Sequence, residues 1–442
     1  MIKVITYGTY DLFHYGHQRL LERAKDLGDY LIVGVTADDF DKRRGKINVK
    51  QSLMERIESV RATGLADEII VEEYEGQKID DIQRFDIDIF TLGSDWVGKY
   101  DYLNEYCNVV YLDRTEGVSS SDIRSKKRSL NLGLMGNGSI LKKFFDESKF
   151  VNGINVNAIF TENDYEKKYY ENEDIILTDN YDELLDVVDA VYIISHPSKR
   201  YEYVKNALNN KKHVLCESPI SLKEEHFCEL KKLASENNLI LMDSIKTAYS
   251  TAYNRLLLLV KGGAIGDVYS IDATCTSLRE FDDFSSNSIN SWGPLALLPI
   301  FQILGINYNN KNISSLFSKE NDNFDLFTKI DFQYSNAVAS IKVAYGVKSE
   351  GELIISGTKG YAYVPAPWWK TDYFELRFEN QEDNKKYFYQ LDGEGIRYEL
   401  VAFAKSIELT RNNTYINSDV SKAICKIMED FDSGDFNKIE HY

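Results

Sequence analysis

Short apolar runs alternate with helix-like segments from the first residues of this chain, and the alternation starts again once. In the first stretch the predicted strands are Val4–Tyr7, Tyr30–Val35, Glu68–Val71, Ile87–Leu92 and Val109–Leu112. The segments between them, Gln18–Leu27, Leu53–Ala62 and Ile79–Phe85, have helical spacing. Strands that alternate with helices are typical of a parallel sheet. The pattern therefore predicts an α/β fold with a Rossmann-like arrangement.

The second alternation begins after a basic segment, residues 124–129, with Leu130–Met135 as its first strand. Its further predicted strands are Asn155–Phe160, Ala190–Ser195, His213–Cys216 and Leu239–Met242. Beyond residue 250 the strands become longer and alternate in polarity, which indicates an α+β region with an open, mostly antiparallel sheet. The sequence thus predicts three domains, at residues 1–127, 128–248 and 249–442.

Charge and cysteine content exclude several classes of protein. The net charge of −18 repels a polyphosphate backbone, so nucleic acid is not expected as a partner, and any bound nucleotide needs local donors. The 5 cysteines form no C-x-x-C pair, which argues against a structural zinc site and a disulfide framework.

The N-terminus has the pattern of a strand rather than of a signal peptide. The longest nearly uncharged apolar stretch, Gly293–Ile306, is shorter than the ~20 residues that cross a bilayer, and it contains two prolines. We therefore expect a cytoplasmic protein without a membrane span.

The first candidate site is the segment Gly8–His17, which joins the first strand to the first helix. Its glycines allow the backbone to approach a phosphate, and the N-terminus of the helix offers free N–H groups to it. His14 and His17 are three residues apart, so both imidazoles can reach one phosphate. Two histidines around a glycine also occur by chance. Their position at the strand–helix junction, in a chain with only 6 histidines, favours a site.

The second candidate segment, Arg114–Ser121, follows the last strand of the first half. An arginine fork can bind two phosphate oxygens, and serine hydroxyls with backbone donors complete an anion site. Taken alone, a serine run is more often a capped loop. Its occurrence together with the histidine segment favours the anion site.

Both segments, together with Gly93–Trp96, Glu22–Lys25 and Leu27–Tyr30, resemble the glycerol-3-phosphate cytidylyltransferases of teichoic acid synthesis over residues 1–125. The resemblance implies transfer of CMP from CTP to a small polyol phosphate, glycerol 3-phosphate or a relative, with release of pyrophosphate. It also implies Mg²⁺ as the counter-ion of CTP. In two places the sequence departs from the family, since Ser120-Ser121 replaces a threonine pair and Tyr74 stands where tryptophan is common.

The resemblance also assigns residues to roles. The implied catalytic residues are His14, His17, Lys46 and Arg114. The implied nucleotide site consists of Gly8, Thr9, Tyr10, Asp11, Gly16, Asp95, Trp96, Arg114, Thr115 and Ser119. The acceptor site would contain Lys46, Arg56 and Tyr74, and no residue is assigned to a metal.

A glycine-rich turn opens the second half, and later segments at Glu217–Pro219, Gly262–Asp267 and Gly357–Gly360 follow in order. Together they resemble the glucose-fructose oxidoreductase and inositol dehydrogenase family over residues 130–440. The resemblance implies NAD or NADP binding and an open sheet that holds a homodimer or larger assembly. The implied cofactor residues are Gly133, Gly136, Gly138, Glu217, Ser218 and Pro219.

The catalytic groups of that family do not carry over. Ser218 stands in place of its lysine, and Pro299 and Ile303 stand in place of its aspartate and histidine, so no general acid remains at these positions. Leu141 replaces the third glycine of the turn. Three interpretations stay open. The second half is a degenerate oxidoreductase-like module for assembly or ligand sensing, or it is an active reductase that makes the polyol phosphate with substitute groups such as Tyr201 or Lys246. In the third, the whole chain is a nucleotide-binding regulator without catalysis. The last conflicts with the intact histidine and arginine segments.

Overall fold

The computed structural model describes residues 1–37, 49–51, 53–73, 76–113, 130–136, 138–151, 153–161, 163–171, 173–278, 287–321, 324–389, 391–408 and 415–440. The chain forms two compact units. The first contains Met1–Ser129 with Val151–Gly153, and the second contains Leu130–Phe150 with Ile154–Tyr442. The division of the second unit into domains at residue 248 stays a prediction.

The first unit is built on a five-stranded sheet of order β3-β2-β1-β4-β5, and every pair of neighbouring strands is parallel. Its strands are β1 (Lys3–Gly8), β2 (Tyr30–Thr36), β3 (Glu68–Glu72), β4 (Ile89–Gly93) and β5 (Asn108–Leu112). Its described α-helices are Tyr15–Lys25, Leu53–Arg61 and Gln77–Phe85. The predicted parallel α/β fold is confirmed.

Strands β1 and β2 are buried on both faces, which explains their nearly continuous apolar sequences. Val4 packs into a cluster with Leu21, while its neighbour Ile5 packs into a second cluster with Phe90. Gly34, in β2, leaves no room for a larger residue, because a Cβ there would lie 2.2 Å from the ring of Tyr7.

The second unit begins with a six-stranded parallel sheet of order β11-β10-β9-β6-β7-β8. Its strands are β6 (Leu130–Met135), β7 (Ile154–Phe160), β8 (Ile176–Thr178), β9 (Ala190–Ile193), β10 (His213–Glu217) and β11 (Leu241–Ser244). Its α-helices are Ser139–Ser148, Asp164–Tyr170, Tyr181–Asp186, Pro197–Asn209 and Glu224–Glu236. This sheet confirms the second predicted doubly wound region.

The C-terminal part contains a nine-stranded mixed sheet of order β19-β18-β17-β16-β12-β15-β14-β13-β20. Its strands are β12 (Val268–Ser277), β13 (Asn310–Phe317), β14 (Asp325–Gln333), β15 (Val338–Tyr345), β16 (Leu353–Gly357), β17 (Gly360–Val364), β18 (Tyr373–Phe378), β19 (Lys385–Phe388) and β20 (Asn437–Ile439). The α-helices here are Thr251–Lys261, Ser288–Ile303, Ile396–Glu408 and Ser418–Asp432. Of the strand pairs described in this nine-stranded sheet, β12·β15 and β13·β20 are parallel and the other six are antiparallel, so the predicted mostly antiparallel sheet is confirmed.

The apolar stretch near residue 300 is a helix that packs on this sheet. Ser288–Ile303 contacts β12, β14 and β15 and includes both prolines. Within the described ranges, no helix is both long enough and apolar enough to cross a membrane.

Candidate active site

The histidine segment lies at the switch point of the first sheet. β1 is central and pairs with β2 on one side and β4 on the other, so the carboxyl ends of β1 and β4 border the crevice where such sheets bind ligands. The loop that starts at Gly8 follows β1, and the short 3₁₀ turn Ser94–Trp96 follows β4. Two segments that are far apart in the sequence therefore border one crevice.

The two histidines meet at the start of the first helix. His14 is the N-cap of the helix Tyr15–Lys25, and its Nδ1 accepts a hydrogen bond from the backbone N–H of Gly16 at 3.0 Å. The rings of His14 and His17 stack with their centroids 3.9 Å apart. Because Nδ1 of His14 is an acceptor, its neutral ring carries the proton on Nε2 and can donate from there. The two imidazoles are thus adjacent, as their spacing predicts.

The ring of Tyr10 packs against the segment Gly8–His17. Tyr10 has a left-handed backbone with φ of 54°, and its buried ring covers Gly8. The same ring contacts His17 edge-on at 5.5 Å between centroids. Burial raises the pKa of the Tyr10 phenol, so this side chain stays neutral and acts as a packing support.

Asp11 and Arg56 hold the loop in place from inside the protein. The Asp11 carboxylate accepts hydrogen bonds from the backbone N–H groups of Lys50 and Gln51 at 3.0–3.1 Å. The wholly buried Arg56 donates to the carbonyl of Thr9 at 2.7 Å, and it also donates to the carbonyls of Thr36 and Gln51. These contacts fix the loop between β1 and the first helix. The predicted contact of Arg56 with the acceptor stays a prediction.

The segment after β4 presents a carboxylate and an aromatic ring. Asp95 is exposed, and the half-buried Trp96 packs against Tyr100 with the Lys99 ammonium 4.7 Å from its ring centroid. The remaining predicted site residues of this half lie outside the described residues: Lys46, Tyr74, Arg114, Thr115 and Ser119.

Sequence reasoning missed a buried lysine near the carboxyl edge of this sheet. Lys78 pairs with Glu72, the last residue of β3, and its ammonium lies 4.5 Å from the ring centroid of Tyr7. Only 8% of Lys78 is exposed. A signal was available, because a lysine in the first turn of a helix opposes the helix dipole and needs a compensating partner.

The glycine turn of the second unit also lies at a switch point, here between β6 and β9. Gly136 has φ of +146°, and a Cβ there would lie 2.4 Å from the carbonyl oxygen of Ile194. Gly138, with φ of +94°, is the N-cap of the helix Ser139–Ser148, and a Cβ there would meet open space. The turn therefore leaves room for a phosphate group at the helix N-terminus. Gly133 lies within β6 and packs against Leu184.

A cavity of about 780 Å³ in the second unit includes part of the predicted cofactor site. Glu217 and Ser218 line it, and Glu217 Oε1 accepts a hydrogen bond from the Tyr192 hydroxyl at 2.5 Å. The Pro219 carbonyl instead accepts from the buried Arg200 at 2.9 Å.

The helix Ser288–Ile303 borders this cavity with residues other than those expected. Ser291, Trp292, Pro294 and Leu295 line it, whereas Pro299 and Ile303 are not among the lining residues. Of the two suggested substitute groups, Lys246 lines the cavity. Tyr201 does not, and its hydroxyl donates to Glu229 at 2.6 Å.

The charged groups of this cavity come mostly from residues that the sequence did not single out. They are Lys143, Lys348, Lys370, Glu394 and Glu399. They reach the cavity from separate elements, so no local motif marked them. Within the described part of the chain, no group of three or more histidine, cysteine, aspartate or glutamate side chains is placed to hold a metal ion.

An α/β unit with two stacked histidines at the phosphate-binding end of its first helix defines a nucleotidyltransferase. The family model described as "Cytidylyltransferase-like" matches residues 5–126. The glycerol-3-phosphate cytidylyltransferase of Bacillus spizizenii is 52% identical over 130 residues, which are 29% of this chain and 100% of that protein. The Staphylococcus aureus enzyme of the same name is 46% identical over 28% of this chain and 95% of its own length. This chain belongs to the cytidylyltransferase family through its first unit and is a nucleotidyltransferase.

The second unit matches a different family. The model described as "Oxidoreductase family, NAD-binding Rossmann fold" matches residues 130–244. A 3-ketoreductase from Actinomadura kijaniata, solved with NADP and TDP-benzene, superposes with a TM-score of 0.65 at 16% identity, over 71% of this chain and all of that one. A UDP-N-acetylglucosamine 3-dehydrogenase from Acidithiobacillus ferrooxidans gives a TM-score of 0.59 at 15% identity, over 68% of this chain and 95% of its own. At these identities the likeness establishes the fold.

Proposed function

We propose that the first unit transfers CMP from CTP to glycerol 3-phosphate or a similar small polyol phosphate, giving a CDP-polyol and pyrophosphate. The observation that carries the proposal is the stacked pair His14 and His17 at the N-terminus of the first helix, at the switch point of the sheet. The named relatives, matched over nearly their whole length, support glycerol 3-phosphate as the acceptor.

The geometry supports a direct displacement. The acceptor phosphate attacks the α-phosphorus of CTP in line, and the bond to pyrophosphate breaks, so positioning and charge neutralisation supply the catalysis. His14 can donate from Nε2 to a phosphate oxygen, because its Nδ1 is held by the N–H of Gly16. The helix N-terminus stabilises the same charge. Mg²⁺ would accompany CTP as its counter-ion and would supply neutralisation of the charge on the departing pyrophosphate.

For the second unit we propose a degenerate oxidoreductase-like module that does not transfer hydride by its family's usual route. The glycine turn fits a dinucleotide, since Gly138 leaves open space before a helix N-terminus. NAD or NADP would supply a hydride when bound. Ser218, however, offers no ionisable group for the accompanying proton transfer. Neither do Ser291, Trp292, Pro294 and Leu295, which line the cavity where Pro299 and Ile303 were expected.

The nine-stranded sheet is the proposed assembly surface. Helix Ser288–Ile303 packs on this sheet, and partly exposed strand residues such as Tyr269, Val338 and Tyr361 would be covered in a homodimer or larger oligomer. We place the whole protein in the cytoplasm, where CTP is available.

The first experiment incubates the full chain with CTP, magnesium and a panel of phosphorylated polyols, and identifies products by mass. A CDP-polyol formed most efficiently from one member supports the proposal. Absence of every CDP product would contradict it.

A parallel experiment tests the second unit with NADH or NADPH and a panel of ketose and aldose phosphates, followed at the reduced-nicotinamide absorbance. We expect no robust oxidation. Oxidation that Ser218→Ala leaves untouched but Gly138→Val abolishes would establish the alternative, a bifunctional reductase and cytidylyltransferase.

A further inference from the structure

Three lysines of the second unit converge on one carboxylate in the cavity. The ammonium groups of Lys143, Lys246 and Lys370 lie 3.0, 2.8 and 2.7 Å from carboxylate oxygens of Glu394. Lys143 belongs to the helix Ser139–Ser148, Lys246 follows β11, and Lys370 precedes β18. Only the tertiary fold brings these cations together, so we call Lys143, Lys246 and Lys370 the lysine cluster.

The cavity has an excess of positive charge, although the chain has a net charge of −18. Lys348 also lines the cavity, together with Glu217, Glu394 and Glu399. Burial, with the nearby Glu217, raises the pKa of Glu399 well above its usual range. Four lysines and three glutamates line the cavity, so basic side chains outnumber acidic ones there. A phosphomonoester, which carries about −1.5 to −2 at pH 7, is the kind of anion that a cluster of lysines binds.

The Glu394 carboxylate binds the lysine cluster, and Glu394 belongs to a short loop with a left-handed backbone. Gly393, Glu394 and Gly395 have φ of 58°, 52° and 91°, a left-handed run that a glutamate rarely adopts. Although burial opposes ionisation, hydrogen bonds from the lysine cluster hold the pKa of Glu394 well below its usual range. An ionised carboxylate thus sits where a ligand's phosphate would find the same three donors.

A second part of the cavity presents buried polar atoms without partners. Glu399 is fully buried, and its Oε2 accepts from the Ser244 hydroxyl at 3.1 Å. Its other oxygen, Oε1, and the indole N–H of Trp292 have no hydrogen-bond partner among the described residues. Leaving such groups unpaired in a protein interior is unfavourable. Both residues line the cavity.

We propose that this cavity binds a small phosphomonoester of a polyhydroxylated carbon chain, whose phosphate replaces the Glu394 carboxylate in the lysine cluster and whose oxygens pair with Glu399 and Trp292. Lys246 connects the two regions, since it pairs with Glu394 and acts electrostatically on Glu399. The cavity volume lies within the usual range for small-molecule sites, roughly 300–1,000 Å³. The site does not depend on the proposed reaction of the first unit.

The test measures binding of glycerol 3-phosphate, ribitol 5-phosphate, inorganic phosphate and unphosphorylated glycerol to the full chain by calorimetry, without CTP. Hydrogen exchange with mass spectrometry locates the site, because binding here changes exchange in peptides covering residues 244–250 and 391–397. Cytidylyl transfer, assayed separately, reports the state of the first unit in every variant and keeps the two proposals distinguishable.

Lys143→Gln and Lys370→Gln should each weaken binding of the polyol phosphates at this site about tenfold, equivalent to 1.4 kcal/mol. Lys142→Gln is the matched control for Lys143, because the Lys142 ammonium lies 3.8 Å from the ring centroid of Tyr169 and does not line the cavity. Lys142→Gln should leave binding unchanged.

Glu394→Gln should change the affinity for polyol phosphates in the opposite direction. It removes the anion that competes for the lysine cluster, so polyol phosphates should bind about tenfold more tightly. Weaker binding in Glu394→Gln would overturn the proposal, as would a failure of all probes to change exchange in the second unit. Equal affinity for inorganic phosphate and the polyol phosphates would overturn the assignment of Glu399 and Trp292 to the ligand.

Discussion

Two substitutions at His14 separate its structural role from its chemical role. The Nδ1 of His14 caps the first helix by accepting the Gly16 N–H at 3.0 Å, and the ring stacks on His17. His14→Ala removes both the cap and the imidazole. His14→Asn keeps a side-chain acceptor suited to an N-cap but removes the imidazole.

The expected magnitudes differ for the two variants. Loss of a cap costs about 1 kcal/mol, which lowers the midpoint of unfolding of a unit of this size by about 4 °C in His14→Ala. His14→Asn should unfold within about 1 °C of the native protein, because asparagine is a preferred N-cap. Turnover should fall at least ~100-fold in both variants, equivalent to about 2.7 kcal/mol of lost transition-state stabilisation.

The assay follows pyrophosphate release from CTP and glycerol 3-phosphate, with thermal unfolding measured on the same samples. His17→Ala is the companion variant, and it should show the same loss of turnover. If His14→Asn retained near-native turnover, His14 would act only as a helix cap, and the proposed donation to the phosphate would be wrong.

Three further predictions address the nucleotide, the assembly and a buried acid. CTP should be turned over far better than ATP, because Asp95 and Trp96 border the crevice beside the histidines; equal turnover would place the protein with adenylyltransferases instead. The protein should sediment as a dimer or larger at micromolar concentration through its nine-stranded sheet, and a monomer would contradict this. Burial raises the pKa of Asp243 to about 6, above its unfolded value, so this group's contribution to stability is full below pH 4 and is lost as the pH rises through 6. Asp243→Asn should therefore shrink the difference in unfolding free energy between pH 4 and pH 8 by up to about 3 kcal/mol, and an unchanged difference would refute this.

The fold of this chain could be predicted from its sequence because the signals are local and periodic. β6 was predicted at its observed bounds, Leu130–Met135, and β1 was predicted within one residue at each end. Apolar runs of this length have few alternatives in an α/β pattern. The short strand β8 and the helix Asp164–Tyr170 were missed, because their polar sequences have weak periodicity.

The first candidate site could be predicted in part for the same reason. His14 and His17 belong to one turn of chain, so spacing alone brings their rings together. The role of Arg56 as a buried donor to three carbonyls could not be predicted, because its partners Thr9, Gln51 and Thr36 come from separate segments.

The charged lining of the cavity in the second unit could not be predicted from the sequence. The sequence identified one missing group at Ser218 by its position in a motif, whereas Pro299 and Ile303, which were expected beside it, do not line the cavity. Only the tertiary structure decided which charged groups the cavity contains, because Lys143, Lys246, Lys370 and Glu394 meet through packing of distant elements. Burial of Glu399, which raises the pKa of its carboxyl group, is likewise a property of the folded interior and has no signature in the residues beside it.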